Sequence, residues 1–273
     1  MADSYFMLAI FYFLPPHESM PKAKEAALKA VNADEALGEA HLALASIRFY
    51  YDWDWAGAER EYKRAIELSP GDARTRWFYG SYLVVQGRLE ESLQEMKQAE
   101  ASDPLSAVTL LKAGFPSYIG RQYQRAIEKF QESIELDPNL WPSHWWLGQG
   151  YVASSQFDEA VRAFEKTMAI TGRTPLILAE LGRAHARRGN RGEARRLLQE
   201  AERRLKHSDE FVSSMEMAFV YADLGETERA FELLEKGYRD RQCGLIWIKV
   251  WPGLDPLRSD PRFTDLLHRM HLD

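Results

Sequence analysis

WPSHWWLGQGYVASSQFDEAVRAFEKTMAITGRT, residues 141–174, decides the fold. Its apolar spacing reads as two helices, Trp141 to Ala153 and Phe157 to Ala169, joined by a short polar turn. Working outward, the same pattern recurs. Gly148 belongs to the series Gly80, Gly114, Gly148 and Gly182, each step being 34 residues. Pro70, Pro104 and Pro138 keep that spacing. So do the small residues Ala58, Ser92, Ala126, Ala160 and Ala194, and the large apolar residues Tyr62, Met96, Phe130, Phe164 and Leu198. Four independent ladders with one period define an array of repeated helix pairs.

The residue types have physical reasons. Gly148 and Ala160 are expected where the two helices of a pair cross, because only small side chains let axes approach to about 8–10 Å. Tyr151 and Phe164 are expected to fill the space between successive pairs. The prolines follow the second helix because a residue without an amide hydrogen cannot extend the helical ladder. By the same period, Ala73 to Val85 pairs with Leu89 to Ala101, and Ala107 to Ile119 pairs with Tyr123 to Glu135.

This period and these residue types resemble the tetratricopeptide repeat (TPR), a helix-turn-helix unit of about 34 residues. The resemblance implies an all-α fold, a right-handed TPR superhelical solenoid of about seven helix pairs plus C-terminal capping helices. Units are expected at approximately 2–34, 39–72, 73–106, 107–140, 141–174, 175–208 and 211–241, as one array over 1–273. Residues 242–273 are expected to form a last helix pair covering the end, with Asp255-Pro256 and Asp260-Pro261 restarting helices. The terminal units are degenerate, as end caps of such arrays commonly are.

Composition narrows the function classes. With 45% apolar and 28% charged residues the chain can bury a continuous core. A net charge of −6 gives no general attraction for nucleic acid, which is not an expected partner. No apolar run reaches the roughly 18 residues of a membrane helix, so no membrane association and a cytoplasmic location are expected. Cys243 is the single cysteine and supports neither a disulfide framework nor a CxxC motif.

In stacked TPR pairs the first helices line a concave groove, and the resemblance assigns positions 2, 5, 9 and 12 of each unit to it. Those slots give the candidate ligand-binding residues Arg74, Trp77, Leu111, Phe115, Tyr118, Trp145, Gln149 and Arg183. An aromatic concave face suits a peptide-anchoring hot spot, since each large ring can bury roughly 150–250 Å². The bland alternative is packing of these rings against neighbouring helices. Some members of the family grip a carboxylate tail with lysine and asparagine at positions 5 and 9. Here those slots hold Ala43 and Ile47, Trp77 and Ser81, and Leu111 and Phe115, so that clamp is not expected.

Other constellations carry less. The arginines from Arg183 through Arg187, Arg188, Arg191, Arg195, Arg196, Arg203 and Arg204 to Lys206 are interleaved with Glu193, Glu200 and Glu202, which reads as a solvated helix face. Asp54 reads as a helix N-cap. His268 and His271 have no third ligand to hold a metal, and Gly148-Gln149-Gly150 lies mid-helix and is no phosphate loop. No catalytic set can be assembled, so neither enzyme activity nor a cofactor is expected.

The segments Phe49-Tyr50-Tyr51-Asp52-Trp53-Asp54-Trp55-Ala56 and Asp255-Pro256-Leu257-Arg258-Ser259-Asp260-Pro261-Arg262-Phe263 resemble TPR regions attached to kinase, cyclase or winged-helix domains in bacterial regulators. That resemblance implies an interaction or sensory module that binds a peptide or protein segment in its groove. The alternative is self-association. The stretch over residues 5–14 is apolar nearly all round and is expected to be covered by a preceding helix or a second copy.

Overall fold

The computed structural model describes residues 1–10, 13–207 and 214–272, apart from the side chains of 206 and 207. Among them are sixteen α-helices and no strand. They form the pairs α1 (Ala2–Ile10) with α2 (Pro16–Ala33), α3 (Gly38–Ile47) with α4 (Trp55–Leu68), and α5 (Ala73–Val85) with α6 (Leu89–Ser102). In the fourth pair α7 (Ala107–Ala113) and α8 (Phe115–Ile119) face α9 (Tyr123–Leu136). Then come α10 (Trp141–Ala153) with α11 (Phe157–Thr171), α12 (Pro175–Arg187) with α13 (Arg191–His207), and α14 (Ser214–Leu224) with α15 (Thr227–Arg239). The seventh unit's expected start near residue 211 lies outside the described residues.

The ladders find each other in space. A Cβ added to Gly148 would stand 2.4 Å from Phe164 Cε1, and one at Gly114 would stand 2.5 Å from Phe130 Cε1. The hairpin thus brings the large ladder residue sixteen positions onward back onto the glycine of its own pair, whereas the sequence reading set Phe164 between successive pairs. Gly148→Leu is expected to cost about 1–3 kcal/mol through overpacking. A thermal melt equal to wild type would contradict this crossing.

A fifth ladder lies in the backbone. Trp53, Gly87, Arg121, Ser155 and Gly189, again 34 apart, all take positive φ, between 58° and 90°. Four of these turns close a five-residue loop, Arg88 N–H to Leu83 O, Gln122 to Ser117, Gln156 to Tyr151 and Asn190 to His185, which is the Schellman pattern of a helix end. Glycine is the natural occupant, because a Cβ there costs about 1–2 kcal/mol. Ser155→Gly is therefore expected to stabilise the chain by about 1 kcal/mol in urea denaturation. Arg121→Gly should give no such gain, since it also deletes an ion pair with Asp255.

Two expectations change. The helix expected from Ala107 to Ile119 breaks at Gly114, because Pro116 has no amide hydrogen for the Lys112 carbonyl. Residues 242–273 do not stack on the end as a plain helix pair. They form a 3-10 turn (Cys243–Trp247), a second 3-10 turn (Pro252–Leu257) and α16 (Pro261–Arg269). α16 lies on α15 through Arg262–Glu228 and Arg269–Glu235 ion pairs. The two turns instead cross the inner face of the array.

That crossing closes the solenoid on itself. The Trp55 indole N–H donates to Met270 O at 3.1 Å, and the Arg241 guanidinium donates to Tyr51 O at 3.1 Å. The same guanidinium sits 4.2 Å over the Trp53 ring, which lies 5.5 Å from Tyr238. The second and seventh pairs are thereby joined. The π-helical turn Arg48–Asp52 and the left-handed Trp53 place these rings, and Asp54 caps α4 by accepting from Gly57 N–H at 2.9 Å.

Candidate functional site

The first helices of the pairs carry the candidate residues along the inner face that the two turns cross. At its N-terminal part Arg74 and Trp77 are half-buried. Arg74 pairs with Asp3, and Trp77 stacks on Phe78 with centroids 4.0 Å apart. Lys112 Nζ lies 5.1 Å over the Trp77 ring. No carboxylate pairs with it among the described residues. Burial lowers its ammonium to about 8. A cleft of about 410 Å³ opens beside Trp77, between the starts of α5 and α7.

Further along, Leu111, Phe115, Tyr118, Trp145, Gln149 and Arg183 are all buried. What covers the aromatic floor is the chain's own C-terminal segment. The Trp247 ring stands 4.7 Å from Phe115 and 6.0 Å from Phe49. Trp251 lies among Tyr118 (5.7 Å), Trp146 (5.3 Å) and Phe219, on which it stacks at 5.6 Å. The aromatic stretch of Phe115, Tyr118 and Trp145 is thus occupied by the chain itself.

A charged cluster sits next to Gly253, where an added Cβ would stand 3.1 Å from Arg183 Nη2. Arg183, 3% exposed, donates to Asp223 at 3.2 Å and to Gln149 Oε1, and lies 3.6 Å from Glu180 without a hydrogen bond. Its guanidinium also faces the Phe219 ring at 5.2 Å. Tyr118 Oη, Trp145 Nε1, Gln149 Nε2, Trp251 Nε1 and both Glu180 carboxylate oxygens have no protein hydrogen-bond partner. Each such buried group costs about 1–3 kcal/mol.

Burial pushes the Glu180 carboxyl from an ordinary 4.5 up to about 7, against the pull of Arg183. The folded chain then keeps a proton that the unfolded chain releases. This contribution is full below pH 4.5 and is lost as pH rises through 7, by about 3 kcal/mol. Glu180→Gln is expected to flatten urea-denaturation stability between pH 5 and 8, and an unchanged slope would contradict the assignment.

Sequence reasoning missed Lys112, Glu180, Asp223, Trp247 and Trp251 as parts of this surface. Lys112 stands one residue off a groove slot, and the two tryptophans read as end-cap residues. The arginine run is largely paired, as Arg187–Asp223, Arg188–Asp158, Arg195–Glu226 and Arg196–Glu193 show. The Lys206 side chain lies outside the described residues. Among the described residues no group of three or more His, Cys, Asp or Glu is placed to hold a metal, and no helix is long and apolar enough to cross a membrane.

Helix pairs of 34 residues stacked around an aromatic inner wall define a repeat scaffold of the kind that binds other proteins. The chain contains tetratricopeptide repeats, with family models of that description matching residues 45–107 and 175–200. It is 28% identical over 139 residues to the type IV pilus assembly protein PilF of Pseudomonas aeruginosa, covering 50% of this chain and 54% of that protein. It is 31% identical over 144 residues to the transcriptional regulator HilA of Salmonella typhimurium, covering 53% of this chain and 25% of that protein. The matched region thus spans about half of PilF and a quarter of HilA. Among solved structures, the pilus biogenesis factor PilW superposes with a TM-score of 0.62 at 20% identity, over 80% of this chain and 97% of that one. The Cut9–Hcn1 structure gives 0.62 at 15% identity, over 98% of this chain and 54% of that one. These likenesses concern the fold.

Proposed function

We propose that this chain is the interaction module of a larger bacterial regulator and holds a partner's protein segment on the open part of its inner wall, around Arg74, Trp77 and Lys112. One observation carries this reading: Lys112 rests half-buried on an indole without a carboxylate. Holding an unpaired ammonium there costs free energy that an acidic side chain of a partner would offset. Trp77 supplies apolar area beside it, and the adjoining cleft admits a side chain. The description of HilA as a transcriptional regulator, and the 49–56 and 255–263 segments, support the regulator assignment.

The test is capture of a defined protein by the immobilised chain from an extract of its own cells. Trp77→Ala and Lys112→Met are expected to reduce capture at least tenfold with the melting temperature unchanged. Equal capture by wild type and both variants would overturn the reading.

A second reading, self-association through residues 5–14, has its own support. Phe13 is 74% exposed. Phe6, by contrast, is buried between Tyr50 and Phe78 and belongs to the chain's own core. Phe11 and Tyr12 lie outside the described residues. Sedimentation of Phe13→Ser against wild type tests it, and a monomer in both cases would sink it.

A further inference from the structure

The segment over the inner wall is a strap tied at both ends to one helix. Residue 239 ends α15, and α16, which follows the strap, returns to α15 through Arg262–Glu228 and Arg269–Glu235. Residues 243–257 between them are two 3-10 turns, which hold the wall through rings more than through hydrogen bonds. Besides the rings, one ion pair ties the stretch to the array, Arg121–Asp255 at 2.7 Å.

Its fit is good for rings and poor for polar atoms. Trp251 fills the space among Tyr118, Trp145, Trp146 and Phe219. Yet Tyr118 Oη and Trp145 Nε1, on rings it packs against, gain no partner from it, and its own indole N–H has none. Backbone and side chains of a permanent core element normally pair such atoms. A segment bringing the same aromatic anchor together with hydrogen-bonding side chains would hold this wall better than the strap does.

We propose that residues 243–257 are a displaceable occupant of a second segment-binding site, and that the partner replacing them carries a large aromatic anchor flanked by side-chain amide or hydroxyl groups. This rests on the reading that the inner wall takes protein segments, and it extends the open site around Trp77 into the covered half. Partner binding there and release of the strap are one exchange, so the strap sets the affinity of the wall.

The chain carries its own reporter. Cys243, its single cysteine, is the first residue of the strap and only 2% exposed. Burial pushes its thiol up to about 12, so the docked form resists thiol reagents. In the wild-type chain an aromatic disulfide reagent should label Cys243 at least tenfold faster than global unfolding permits, through strap release alone. A fluorescein-tagged peptide of residues 243–257, with serine in place of the cysteine, should bind the Trp251→Ala chain at least tenfold more tightly than wild type, whose own strap competes. The same peptide lacking the second tryptophan should bind neither. Labelling confined to the rate of global unfolding would make the strap a fixed part of the core and overturn the proposal. So would equal peptide affinity for both chains. If Trp251→Ala does not fold, the wild-type labelling rate still decides. Neither readout involves Trp77, so failure here leaves the open site standing, whereas equal capture by wild type and Trp77→Ala would sink that site alone.

Discussion

Arg183→Met is expected to destabilise the chain by about 3–5 kcal/mol, because it leaves the buried Glu180 carboxyl without a cation and Asp223 with Arg187 alone. Asp223 loses the 3.2 Å bond to the guanidinium, and Glu180 loses its neighbour at 3.6 Å. Burial already raises both carboxyl groups, so the variant should also be more acid-favouring, with its largest deficit above pH 7. Urea denaturation at pH 5 and pH 8 measures both effects. Adding Glu180→Gln and Asp223→Asn to the same chain should recover part of the loss, as removing a whole buried charge set costs less than removing one member. A loss below 1 kcal/mol would show that water reaches this cluster.

Phe49→Ala should cost a similar amount, about 3–5 kcal/mol, for a reason that is geometric and not electrostatic. Its ring meets Tyr50, Trp55, Tyr62 and Tyr82 inside the second pair and its successor, and Trp247 of the strap at 6.0 Å. Removing it opens a cavity and loosens the closure together. A double-mutant cycle with Trp247→Ala is expected to give a coupling of about 0.5–1.5 kcal/mol. Additive losses would mean that the ring serves the repeat stack and contributes nothing to holding the strap.

The repeat was legible because Gly148 and Phe164 sit at one spacing and meet in one hairpin, so a local pattern reports a local contact. The register also names Trp77, Phe115 and Trp145, of which Phe115 and Trp145 are buried against the C-terminal segment and Trp77 is half-buried. The backbone ladder was hidden, since Trp53, Arg121 and Ser155 occupy a conformation that sequence assigns to glycine. At two of those three turns the reason is visible. Trp53 stacks with Arg241 and Tyr238, and Arg121 pairs with Asp255, so each side chain reaches the C-terminal part and holds its turn despite the strain. The strap itself could not be read. Leu245, Ile246 and Ile248 are equally apolar whether they cap an end or fill an interior, and Trp247 among them meets Phe49 from about two hundred residues away in sequence.

The segment around Trp53, which distinguishes this chain from a generic repeat array, forms one side of a clasp whose other side is Tyr238, Arg241 and Met270. That clasp fixes how many hairpins can lie between the second and seventh pairs. An ordinary open solenoid tolerates duplication or deletion of a whole unit, since each hairpin touches only its neighbours. Here an extra 34 residues anywhere between the second and seventh pairs would carry Arg241 and Met270 away from Tyr51 and Trp55. A protein of this architecture can change its partners by substituting residues along the wall, but it cannot do so by growing.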